Sequence, residues 1–175
     1  MITGTPVTDW VKISSTNLTN TTFATLTATT TKPSGSGVID ASAFPGVART
    51  GIEGTSIGAN SVVLQPFGAG SADGVFDLRV TGWNKLGSTW IPRAIAQFAC
   101  TMGTEAGISG GDVTTTDLFC DGIVQTWGSA GIDVVQNTSN LSAYAVVDVN
   151  GAELVQVTAD LGSNATGANA LMRWL

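Results

Sequence analysis

The chain predicts an all-β protein, a β-sandwich or jelly-roll-like domain of roughly eight to ten short strands with an extended N-terminal arm. Three observations carry this reading. Apolar and polar residues alternate with period two in segment after segment, and helical spacing is nearly absent. Only 11% of the residues are charged, against about 25% in an ordinary globular chain, and Thr, Val, Ala, Asn and Gly fill the difference. Turn residues punctuate the runs at short spacing, with 22 glycines among 175 positions.

Residues 1–37 differ from the body, residues 38–175, in being dense in threonine. Trp10, Lys12 and Ser14 alternate with Val11 and Ile13; Phe23, Thr25 and Thr27 alternate with Thr22, Ala24, Leu26 and Ala28. That pattern, rich in β-branched residues, predicts strands. Lys32-Pro33-Ser34-Gly35-Ser36-Gly37 reads as a flexible joint. The segment is either an arm that docks on a neighbouring subunit or a pair of edge strands in its own domain. As an arm it would bind its partner through Ile2, Val7, Trp10 and Ile13, with Trp10 as the principal anchor.

In the body, Ser61 to Gln65 predicts a brief apolar strand stopped by Pro66. From Val75 to Trp83, Phe76, Leu78 and Val80 face one way and Asp77 and Arg79 the other, a half-buried strand. Trp90 to Met102 fits two periods. Ile91, Ile95 and Phe98 have helical spacing, whereas Ala94, Ala96, Phe98, Cys100 and Met102 alternate, and the strand is preferred. Leu118 to Trp127 and Ile132 to Val135 continue the series. Asn150-Gly151, set between Ala143–Val149 and Ala152–Val157, predicts a two-residue hairpin. Its register places Asp148 opposite Glu153, an unfavourable like-charge pair, so either the turn is shifted or a cation or Arg173 lies between them. Ser163 to Asn169 reads as a loop before the closing run Ala170–Leu175.

The chain contains no histidine, which removes Ser-His-Asp and Cys-His nucleophilic sites and histidine-based metal centres. Carboxylates remain. Asp112, Asp117 and Asp121 could form a glycosidase pair or ligate calcium, but their spacing matches no metal pattern, and a solvated loop is the preferred reading. Glycines 68, 70 and 74 make no dinucleotide fingerprint, and no phosphate loop is present. The reading therefore assigns no catalytic residue, cofactor or metal. A net charge of −6 disfavours nucleic acid and anionic membranes as partners. Met1 to Pro6 carries no signal-peptide pattern, and no apolar run approaches the ~18 residues of a membrane span. Synthesis in a cytoplasm is expected, with Cys100 and Cys120 as buried thiols in preference to a disulfide. The Asn-x-Ser/Thr triplets at Asn17, Asn20, Asn137, Asn140 and Asn164 then read as loop composition rather than glycan acceptors. Trp10, Trp83, Trp90, Trp127 and Trp174 could stack on sugars if exposed, but core or interface anchoring is the preferred role.

Four strings extend the reading: Trp90-Ile91-Pro92-Arg93, Cys100-Thr101-Met102-Gly103-Thr104, Gly110-Gly111-Asp112-Val113 and Asn169-Ala170-Leu171-Met172-Arg173-Trp174-Leu175. Over its C-terminal half the chain resembles the capsid decoration, or cement, proteins of tailed bacteriophages. The resemblance implies a β-rich virion structural protein that forms a homo-oligomer, a trimer. It would sit on the outside of an icosahedral capsid and clamp neighbouring copies of the major capsid protein. It brings no catalytic residues. A carbohydrate-binding β-sandwich module and a phage tail or spike protein remain as alternatives.

Overall fold

The computed structural model describes residues 11–13, 23, 25–35, 37–40, 49–50, 56–57, 61–70, 74–102, 117–128, 132–135, 144–149 and 151–174. These contain twelve strands and no helix: β1 (Val11–Ile13), β2 (Val38–Asp40), β3 (Arg49–Thr50), β4 (Ser56–Ile57), β5 (Ser61–Gly70), β6 (Val75–Leu86), β7 (Thr89–Met102), β8 (Asp117–Gly128), β9 (Ile132–Val135), β10 (Tyr144–Asp148), β11 (Leu154–Leu161) and β12 (Ala165–Trp174). The fold is all-β, as the alternation predicts.

Ten strands form one antiparallel system folded into two layers, and β3 and β4 pair separately. In the first layer β5 is central. β12 runs along one side of it and carries β1 at its edge. On the other side β10 pairs with residues 61–64 and β8 with residues 67–69, and β9 extends from β10. The second layer runs β8-β7-β6-β11-β2. β8 belongs to both layers: its first residues pair with β5 and the rest with β7.

One apolar core lies between the layers. Val62, Leu64, Val147 and Met172 enter it from the first, and Phe76, Leu78, Phe98 and Val157 from the second. Phe76, Leu78 and Val80 are all buried, while Asp77 and Arg79 between them point outward. Each such fully buried side chain contributes about 1.5–3 kcal/mol. Trp90 to Met102 lies entirely within a strand, since its alternating members Ala96, Phe98, Cys100 and Met102 supply the inner face of β7. Cys100 is a buried thiol.

Three expectations are corrected. Pro66 does not stop its strand, for β5 continues to Gly70 with Pro66 opposite Ala170. On the other side of β5 the β10 ladder ends at Leu64 and the β8 ladder begins at Phe67. Proline, lacking an N–H, sits where no partner is required. Residues 163–169 are not all loop, because β12 starts at Ala165 after a turn in which Asn164 takes φ 63°. Asn150-Gly151 does not join paired strands. A turn does form there, with Ala152 N–H donating to Val149 C=O at 3.1 Å and Gly151 at φ 71°. The flanking strands then diverge, β10 to β5 and β11 to β6, so the turn passes from one layer to the other. Asp148 faces Ser61, and Glu153 accepts the backbone N–H of Lys85 at 2.9 Å. The like-charge conflict never arises.

The predicted joint after Lys32 is also more fixed than a flexible linker. Gly35 and Gly37 take φ 103° and 86°, Val38 N–H donates to Gly35 C=O, and Val157 N–H donates to Gly37 C=O at 2.8 Å. This turn leads directly into β2.

Candidate functional site

The described part of the N-terminal segment lies against its own chain. β1 pairs with β12, Ile13 opposite Ala170. Residues 25–34, with Phe23, form a strap that meets the second layer at Arg79, Trp90 and Asp40. The Arg79 guanidinium sits over the Phe23 ring at 4.2 Å from its centroid, a contact worth about 0.5–1 kcal/mol at an exposed site. Thr29 and Trp90 exchange two backbone hydrogen bonds, of 3.0 and 2.7 Å. Lys32 forms an ion pair with Asp40 of β2. Ile2, Val7 and Trp10, expected to anchor an arm, lie outside the described residues.

Next to the strap, through Trp90, is a second, smaller apolar cluster of Trp83, Trp90 and Leu154, with Val38 at its margin. Trp83 Nε1–H donates to Gln156 Oε1 at 3.1 Å, so the indole is buried with its polar atom satisfied. Two tryptophans thus act as core anchors, as the composition suggested.

Trp127 does not. It is 54% exposed and borders an open groove of about 440 Å³ with Leu26, Arg79, Ala94 and Gln97. Two β-bulges shape this groove. Gln97 is opposite Trp127 while Phe98 is opposite Gln125, which makes Thr126 an extra residue in β8. Strict alternation would send Ile123, Gln125 and Trp127 to one face, and Ile123 is in the core. The extra residue turns Trp127 outward beside Gln97. Thr126 is tied in place as its hydroxyl donates to Gln97 C=O at 3.2 Å. In β7, Val80 is opposite Ala96 but Thr81 is opposite Ala94, so Ile95 is the extra residue. That brings the small Ala94 to the groove while Ile95 and Ala96 both stay buried. Bulges re-aim side chains in this way without breaking a sheet.

The polar members of the groove are held in position. Gln97 Nε2–H donates to Asp77 Oδ2 at 3.1 Å across the β6–β7 ladder. Burial lowers the Arg79 pKa from its ordinary value, and the charge of Asp160 partly restores it; the guanidinium remains a cation. Groove, guanidinium and carboxamide together form a surface with one exposed aromatic face.

Of the acidic trio considered as a catalytic or calcium site, Asp117 and Asp121 fall on β8 and Asp112 lies outside the described residues. Among the described residues no three His, Cys, Asp or Glu side chains converge as a metal site. Sequence reasoning missed Trp127, Arg79, Gln97 and Leu26 as a group. The one signal for them was the five-tryptophan count, which does not distinguish which indole is exposed. Comparison with known proteins found no match to a family model, a curated protein or a solved structure.

Proposed function

We propose that this is a non-enzymatic virion structural protein that binds the outside of an icosahedral phage capsid and clamps neighbouring copies of the major capsid protein. The observation that carries the proposal is apolar surface left uncovered in a chain poor in charge. Leu86 and Ile91, near the tip of the β6–β7 hairpin, are 70% and 42% exposed. Val124 on β8 is 59% exposed. Leu86 and Ile91, two large apolar side chains near the end of the β6–β7 hairpin, suit burial against another protein, and Val124 adds exposed apolar surface elsewhere. The resemblance of the C-terminal half to decoration proteins supplies the identity of that protein and the trimeric state.

A protein that binds only the assembled lattice stabilises that lattice by its binding free energy. Particles carrying this protein are therefore expected to release their genome at a higher temperature than particles stripped of it. Equal release temperatures, followed with a DNA-binding dye during heating, would exclude the clamp. Sedimentation of the isolated protein at micromolar concentration is expected to show an oligomer, since a closed ring hides apolar surface, and the resemblance makes it a trimer.

A further inference from the structure

We propose that the groove beside Trp127 is a binding site for a neutral hexose unit of a polysaccharide. This goes beyond a clamping role, which needs no sugar site, and it stands or falls independently of that role. A pyranose ring has an apolar C–H face and a rim of hydroxyls that both donate and accept hydrogen bonds. The groove matches both features. Its exposed indole offers a flat aromatic surface. The small Ala94 and Leu26 of the strap add apolar lining beside it. Arg79 and Gln97 supply N–H donors, and the Gln97 carboxamide, whose nitrogen donates to Asp77, also carries an acceptor oxygen.

The groove is open, which suits one unit of a longer polysaccharide chain lying across it. Charge selects among sugars. Arg79 is the one cation lining the groove among the described residues. Asp160 acts on it and Asp77 holds Gln97, and the chain as a whole carries −6. These acidic neighbours offset the Arg79 charge and disfavour a glycan that carries carboxylates of its own, so a neutral one is the expected ligand. The aromatic platform is also specifically built: if Thr126 paired in unbroken register instead of bulging, Trp127 would follow Ile123 toward the core.

The full-length chain should be applied to an array of neutral and acidic glycans, and the retained neutral oligosaccharide titrated by calorimetry and by tryptophan fluorescence. Retention of neutral hexose glycans is expected, with a fluorescence change on binding. Trp127→Ala should weaken binding about tenfold or more, and Gln97→Leu should also weaken it. Because the side chain is exposed, Trp127→Ala should melt near the wild-type temperature. Trp127→Phe keeps an aromatic ring, so it should retain part of the affinity while losing the fluorescence change. Retention of no glycan, or of acidic glycans only, would overturn the proposal. So would unchanged affinity in Trp127→Ala.

Discussion

Met102→Ala is expected to destabilise the protein by about 2–5 kcal/mol, and adding Gly68→Ala to it is expected to recover part of that loss. Met102 is fully buried at the end of β7. Gly68 lies across the core on β5, and a Cβ there would sit 1.8 Å from Met102 Sδ and 3.1 Å from Phe76 Cε1. The glycine is therefore a packing requirement, since methionine occupies the volume that any side chain would fill. Alone, Gly68→Ala should cost about 1–3 kcal/mol through overpacking. In the double variant the new methyl enters space vacated by the thioether, so the two losses should not add. Denaturant unfolding of the four proteins gives the coupling directly. Losses additive to within about 0.5 kcal/mol would show that the two sites do not share that volume.

Trp83→Ala is expected to cost about 3–5 kcal/mol and to loosen the strap. The indole is the centre of the small cluster with Trp90 and Leu154, and its removal also leaves Gln156 Oε1 without the indole donor. Trp90 in turn holds Thr29 through two backbone hydrogen bonds. Hydrogen exchange at the Thr29 amide should accelerate in the variant by more than global destabilisation explains. Trp83→Phe, which keeps most of the apolar contact, should restore slow exchange. If Thr29 exchanged at the wild-type rate in Trp83→Ala, the strap would be held independently of that cluster.

Much of the second layer was legible because its strands obey simple alternation. Phe76, Leu78 and Val80 on β6 and Phe98, Cys100 and Met102 on β7 are buried as the period-two pattern requires. The misreadings share one physical cause: local signals do not specify the partner strand. Asn150-Gly151 has the chemistry of a hairpin turn, and the chain does turn there, with Ala152 N–H on Val149 C=O. Yet β10 and β11 each bury one face in the same core from opposite layers, and cannot also pair with each other. The opposition of Asp148 and Glu153 was the visible sign that the simple register was wrong. Pro66 misled for a related reason, since whether a proline breaks a strand depends on whether a neighbour needs its N–H. The groove was illegible because bulges at Thr126 and Ile95 are set by cross-strand register. Nothing in Gln125-Thr126-Trp127 announces that the indole turns outward.

The position of β12 has a consequence for how the protein is made. This strand lies between β1 and β5, and β5 also needs β8 and β10 along its other side. Every ladder partner of β5 is therefore translated after it, and the last of them nearly one hundred residues later. While the ribosome is still working, Val62 and Leu64 sit on a bare edge that only later sequence can cover. Closure of the first layer must await emergence of Ala165–Trp174. Such distant pairings make for folding on the millisecond-to-second scale rather than microseconds. Nascent copies emerging close together on one message would meet with these edges open.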